Sequence, residues 1–85
     1  MKLHVLYFAA LRERLGCSEE SIDAPSDVVN VAQLRDWLTQ RGEPWSSAFA
    51  EIRRVRAAVN QTMVNDRHAL HDGAEVAFFP PVTGG

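Results

Sequence analysis

Apolar and polar positions change period several times along the chain, and each change marks an element. From Lys2 to Phe8 they alternate, with Leu3, Val5 and Tyr7 on one face and His4, Leu6 and Phe8 on the other, as in a central strand. Ala9 to Leu15 shifts to helical spacing, with Leu11 and Leu15 at i and i+4 and Gly16 placed to end a short helix. Ser18 to Ala24 reads as a returning strand with Ile22 inward, and its acidic Glu19, Glu20 and Asp23 confine it to a sheet edge. Asn30 and Gln33 form a capping-box pattern ahead of an apolar stripe, Val31, Leu34, Trp37 and Leu38, at helical spacing. Arg41 and Gly42 close that helix, Glu43-Pro44 blocks its continuation, and Trp45 and Phe49 pack a second short helical turn beneath the sheet. Arg54 to Asn60 returns to period two, with Val55, Ala57 and Val59 on one face; Asn60-Gln61 then turns into Thr62 to Val64. Asp72-Gly73 is a second turn and launches Glu75 to Phe79, where Val76 and Phe78 alternate with Ala77 and Phe79.

Strand, short connection, strand, long helix and two or three further strands is the element order of a β-grasp α+β domain. It is a mixed sheet with one main helix packed on one face. Residues 1–79 are expected to form this domain and residues 80–85 an extended tail. If Leu3, Val5, Tyr7, Val55, Val59, Val76 and Phe78 meet the helix, then Leu6, Phe8, Ala58, Ala77 and Phe79 point away from it. Uncovered, they form an apolar patch of the kind that marks a partner site.

Composition narrows the class. Eighty-five residues, 46% hydrophobic and 24% charged, hold one small core. A chain this short buries only about 60% of the surface its unfolded form exposes, so a deep, walled active site would take up much of that core. Nine basic and eleven acidic residues, a formal charge of −2, give no polycationic surface for nucleic acid or anionic lipid. Cys17 is the only cysteine and has no disulfide or CxxC partner, which fits a reducing cytosol. The apolar run Val5 to Leu11 is short and lacks a signal-peptide architecture, so a cytoplasmic protein without a membrane span is expected.

The chemistry concentrates in the last six residues, Pro80, Pro81, Val82, Thr83, Gly84 and Gly85. The proline pair prevents the strand from continuing and stiffens the exit, while the glycine pair leaves the backbone of the tip unhindered. Pro81 to Gly85 reaches about 17 Å when extended, enough to enter a partner's pocket while the domain stays outside. On this reading the Gly85 α-carboxylate is the reactive group. A carboxylate is a poor electrophile, so it must first be activated, for example as an acyl-adenylate, before a sulfur or amine nucleophile can attack. The tail has no acid or base of its own, and partners must supply activation and proton transfer. A Gly-Gly end alone is a weak signal, since most termini fray. Preceded by Phe-Phe-Pro-Pro-Val-Thr on a β-grasp pattern, it is a strong one.

These residues resemble a known family. EVAFFPPVTGG (Glu75 to Gly85), VLYFAALRERLG (Val5 to Gly16) and AVNQT (Ala58 to Thr62) are similar to the small subunit of molybdopterin synthase, essentially end to end. The resemblance implies a sulfur carrier of the ubiquitin-like β-grasp family. Its terminal glycine, Gly85 here, is adenylated with ATP by an E1-like activating enzyme and converted to a thiocarboxylate, a 1-thioglycine. The tail, Pro80, Pro81, Val82, Thr83 and Gly84 included, then enters the large synthase subunit in an expected heterotetramer. There the sulfur passes to cyclic pyranopterin monophosphate to build the molybdopterin dithiolene, a pair of loaded carriers serving each product. The carrier is the sulfur-donating and non-catalytic subunit, with catalytic groups on the large subunit, and it binds no cofactor of its own. An apolar surface near the tail docks the activating enzyme in the family, and the matching positions are Phe8, Met63 and Phe79. The segment from Asp23 to Glu51 matches only by pattern and carries no functional residue across.

Other readings stand beside this one. The sulfur carrier of thiamine thiazole synthesis shares the fold and the Gly-Gly end but is usually shorter and lacks the Phe-Phe-Pro-Pro approach. A ubiquitin-like protein modifier would use the same tail, although Lys2 is the only lysine for self-linkage. A plain interaction domain would carry an inert tail. His68 and His71, at i and i+3, have no further ligand to complete a metal site and read as a polar turn. Cys17 lacks a neighbour to lower its pKa and reads as a packing residue, and Trp37 and Trp45 read as core. Arg53, Arg54, Arg56 and Arg67 either solvate a sheet face or meet an acidic partner surface, and the sequence does not choose between these. There is no GxxxxGK[ST] or GxGxxG cradle, so ATP is bound elsewhere.

Overall fold

The computed structural model describes residues 1–52 and 54–81. In chain order the elements are β1 (Lys2–Tyr7), α1 (Ala9–Leu15), β2 (Glu19–Asp23), α2 (Val31–Thr39), α3 (Trp45–Glu51), β3 (Arg56–Val59), β4 (Thr62–Val64) and β5 (Glu75–Phe79). The strands form one sheet in the order β2-β1-β5-β3-β4. β1 and β5 run parallel at its centre, and the remaining pairs are antiparallel. This is the β-grasp arrangement expected from the element order, with α1 filling the connection between β1 and β2.

The core lies on one face of the sheet. Leu3, Val5 and Tyr7 of β1, Ala57 and Val59 of β3, and Val76 and Phe78 of β5 are buried against Leu11 and Leu15 of α1, Val31, Leu34 and Leu38 of α2, and Ala48 of α3. Val55 is half-buried beside them. Phe49 of α3 meets Phe78 edge to face, ring centroids 5.6 Å apart at 89°, the arrangement that aromatic quadrupoles favour. Where one main helix and a helical turn were expected, α3 is seven residues long and shares the layer with α2.

Local signals explain most boundaries. Gly16, at φ 69°, adopts the left-handed conformation that closes α1. Asn30 caps α2 by accepting from the Gln33 amide at 2.9 Å, while the Gln33 side chain accepts from the Val29 amide, one residue before the standard capping-box partner. Further donors of the first turn go to the loop after β4, Val31 N–H to the His68 carbonyl and Ala32 N–H to the Asp66 carbonyl. That loop is pinned on its far side by the buried Leu70.

Some expected boundaries move. β1 ends at Tyr7, one residue early, because Phe8 serves as the N-cap of α1. β3 begins at Arg56, because Arg54 sits at φ 58°, a left-handed conformation outside the strand region. α2 ends at Thr39, ahead of the Arg41-Gly42 stop.

Asn60 and Gln61 both have positive φ, 49° and 70°, between the paired Val59 and Thr62. A two-residue hairpin loop with both residues left-handed is the type I′ turn, for which Asn-Gly is the preferred pair. Gln61 therefore bears a left-handed cost of roughly 1–2 kcal/mol that glycine avoids, set against about 0.5–1 kcal/mol of extra unfolded-state freedom. Gln61→Gly is expected to raise stability by about 0.5–1 kcal/mol, a thermal midpoint a few degrees higher. An unchanged or lower midpoint would contradict the turn assignment.

Candidate docking face and tail base

Because all three helices described lie over one side of the sheet, strand register alone decides what the other side presents. Leu6 pairs with Ala77, Ala77 with Ala58 and Ala58 with Met63, so these four form one row across β1, β5, β3 and β4. Directly paired residues share a face, and these are the alternate positions to the buried ones. Phe79 lies two residues along β5 on the same face and pairs with Arg56. Phe8 keeps the strand alternation past the end of β1: its backbone is extended, at φ −123° and ψ 154°, and its N–H donates to the Phe78 carbonyl at 3.1 Å.

Phe8, Met63 and Phe79 thus stand on one face, around a floor of Leu6, Ala58 and Ala77. Phe8 is 45% exposed and Met63 55%, while the other four are half-buried. Exposed phenylalanine and methionine in one contiguous patch are unusual on a monomer's surface and suit a protein partner. The face also leads to the tail, since β5 ends at Phe79 and passes into Pro80 and Pro81, both half-buried. Val82, Thr83, Gly84 and Gly85 lie outside the described residues, as does Arg53.

On the helical side, a polar network ties the edge strand to the helices. The Tyr7 hydroxyl donates to Glu20 at 2.7 Å and accepts from the Trp45 indole N–H at 3.3 Å. Arg41 grips both Glu20 oxygens at 3.0 Å each, and its guanidinium lies 4.2 Å from the Trp45 ring centroid and 5.6 Å from that of Trp37. Burial, reinforced by Glu20, pushes the Tyr7 hydroxyl far above its ordinary value, so it stays protonated. Burial alone would raise the Glu20 carboxyl, but the hydrogen bonds from Arg41 and Tyr7 outweigh it and hold the group below the usual glutamate range. Burial and then the Glu20 charge raise the Cys17 thiol, which leaves little reactive thiolate and agrees with a packing role.

This network was missed in the sequence, where Glu20 read only as one of the acids that confine β2 to a sheet edge. Parity could have found it: Ile22 faces inward, so Glu20 does too, and a buried Tyr7 hydroxyl needs a partner. Trp37 and Trp45 are half-buried against the core, as expected, and together they also form the platform under Arg41.

A depressed folded-state pKa gives Glu20 a stabilising contribution above its unfolded pKa that is lost as pH falls through the folded one. Glu20→Gln is accordingly expected to cost about 1–2 kcal/mol at pH 7, moderated by partial exposure of the pair. The difference from the parent should shrink as pH falls below the ordinary glutamate range, where Glu20 itself becomes neutral. Urea unfolding at neutral and acid pH reads both, and a gap that persists in acid would contradict the account.

Among the described residues, no group of three or more His, Cys, Asp or Glu side chains could hold a metal ion. His68 and His71 are both exposed. No described helix is long and apolar enough to cross a membrane. The described residues offer an exposed apolar face that leads to Pro80 and Pro81.

The family model described as ThiS family matches residues 5–85. The chain belongs to the ThiS family. Within it, the chain is 43% identical over 83 residues to the molybdopterin synthase sulfur carrier subunit of Escherichia coli (strain K12), a match spanning 98% of this chain and 99% of that one. Among solved structures, this ThiS-family chain superposes on a chain of the Helicobacter pylori 26695 complex of subunits 1 and 2 of molybdopterin-converting factor. There the TM-score is 0.66 and the identity 26%, with 100% of both chains covered. SAMP1 from Haloferax volcanii superposes with TM-score 0.78 over 100% of both chains and, at 22% identity, shares the fold. The resemblance seen in the sequence and the β-grasp assignment both hold.

Proposed function

We propose that this ThiS-family chain is the sulfur carrier subunit of molybdopterin synthase, with Gly85 as the sulfur-bearing residue. The single observation that carries the reading is identity of 43% across 98% of the chain to a relative of that name. The apolar face that leads into the Pro80-Pro81 exit supports it.

The chemistry follows from what a carboxylate requires. An E1-like partner binds ATP, and the Gly85 carboxylate attacks the α-phosphate, releasing pyrophosphate and leaving an acyl-adenylate. Hydrosulfide delivered by a donor then attacks the acyl carbon and displaces AMP, and the product is a thiocarboxylate at Gly85. In the large synthase subunit the thiocarboxylate sulfur attacks a carbon of cyclic pyranopterin monophosphate as a C–O bond of that carbon breaks, giving a thioester; water then cleaves the acyl–sulfur bond, which leaves the sulfur on the pterin and restores the Gly85 carboxylate. This chain contributes the reach and slenderness of Val82, Thr83, Gly84 and Gly85, the stiff Pro80-Pro81 base, and docking through Phe8, Met63 and Phe79. Residues 1–79 are the domain and residues 80–85 the tail. The catalytic groups belong to the large subunit, in a heterotetramer, and the setting is cytoplasmic.

Reconstitution tests this reading. Carrier loaded as the thiocarboxylate, mixed with a molybdopterin synthase large subunit and the cyclic pyranopterin, should yield molybdopterin in proportion to carrier consumed. Sulfur delivery to a thiamine thiazole synthase, with none to the pterin, would overturn it in favour of the thiamine carrier.

A further inference from the structure

Charge is unevenly placed on this sheet. Glu19, Glu20 and Asp23 on β2, one edge strand, are engaged by His4, Arg41 and the N-terminal ammonium, whereas a groove of about 1060 Å³ at the opposite edge, along β3 and β4, is lined by Arg54, Arg56, Arg67 and His68. Asp66 also lines it, but Arg35 holds that carboxylate in a two-point pair at 2.8 and 3.0 Å. Among the described residues no carboxylate lies within ion-pair distance of Arg54, Arg56 or Arg67, and all three side chains are exposed. Among the described residues the groove therefore carries uncompensated positive charge, on a chain whose formal charge is −2.

The groove is continuous with the docking face. Met63 lines both, and Arg56 pairs across the strands with Phe79. We propose that the groove is the electrostatic flank of that face and receives an acidic stretch of the adenylating partner, an inference that rests on the docking role of Phe8, Met63 and Phe79. Guanidinium forks match carboxylates in pairs, and an unpaired basic edge beside the docking face steers an acidic partner surface during approach. A phosphate ligand fits less well, because the lining includes no glycine-rich turn or helix start whose amides could cradle it. The net charge of −2 disfavours nucleic acid.

Charge at the edge of an interface acts mainly on the association rate. With the full chain and the adenylating partner from the same cells, Arg54→Glu/Arg56→Glu/Arg67→Glu should slow association at low salt by about tenfold or more and flatten its salt dependence. The Gln triple variant should show a smaller effect. Thermal unfolding of these surface variants should match the parent. Phe79→Asp should mainly speed dissociation. If the Glu triple variant associates at the parental rate and salt slope while Phe79→Asp weakens the complex, the groove is not part of the interface and the docking face stands. If Phe79→Asp has no effect, or the parent does not bind, the docking reading itself fails. Saturable binding of ATP or an RNA oligonucleotide to the isolated carrier, lost in the triple variant, would overturn the protein-partner assignment.

Discussion

Deleting Gly85, or adding one residue after it, is expected to abolish sulfur transfer and leave the thermal unfolding curve nearly unaltered. Among the described residues the core is built from the sheet and the three helices, and a terminal glycine has no side chain to add to it, so little stability is expected to depend on it. Transfer, by contrast, depends on where the carboxyl carbon stops. One residue of extended chain is about 3.3–3.6 Å, whereas a misplacement of ~1 Å at a reacting centre already costs on the order of a hundredfold. The shortened tail still ends in a glycine carboxylate, so the comparison isolates position from chemistry. Rates measured with saturating activating enzyme, beside melting curves of all three proteins, would decide the matter. Activity retained in either variant would remove Gly85 from the role proposed.

Two adjacent phenylalanines should fail in opposite ways. Phe78 is fully buried, touches the Phe49 ring edge to face and lies 6.0 Å from the Arg35 guanidinium. Phe78→Ala is expected to cost about 3–5 kcal/mol, a large share of the few to ~13 kcal/mol that a domain this small commands. Phe79 points to the open face beside Arg56. Phe79→Asp should leave the fold nearly unchanged and weaken docking to the activating partner by about 2 kcal/mol, roughly thirtyfold, if Phe79 is a central anchor. Urea unfolding and titration of the partner separate the two. Equal loss of stability in both variants would mean the alternation of β5 has been misread.

That alternation was legible from the sequence because a strand's period is a local property. The same holds for the left-handed stop at Gly16, the Asn30 cap and the turns at Asn60-Gln61 and Asp72-Gly73, each a matter of a few neighbouring residues. What escaped notice was nonlocal. Glu20 becomes a structural acid only because β2 brings it against Tyr7 while Arg41 arrives from the end of α2. Asp66 is neutralised by Arg35, and that pairing turns a mixed-charge loop into the wall of a basic groove. Arg54 fitted a strand by pattern, yet its left-handed backbone delays β3. For the site, register converted separate outward positions into one face. The chemical role proposed for the tail rests on residue types and family resemblance.

The central claim is that sulfur rides on Gly85, and intact mass tests it most directly. The protein would be taken from its native cells, or incubated with ATP, a sulfur donor and an activating enzyme proven on a control carrier. A mass gain equal to the replacement of one oxygen by sulfur, located by fragmentation at Gly85, is the result expected. An unchanged mass, with the control carrier loaded in parallel, would contradict the account and favour a protein modifier or an inert tail.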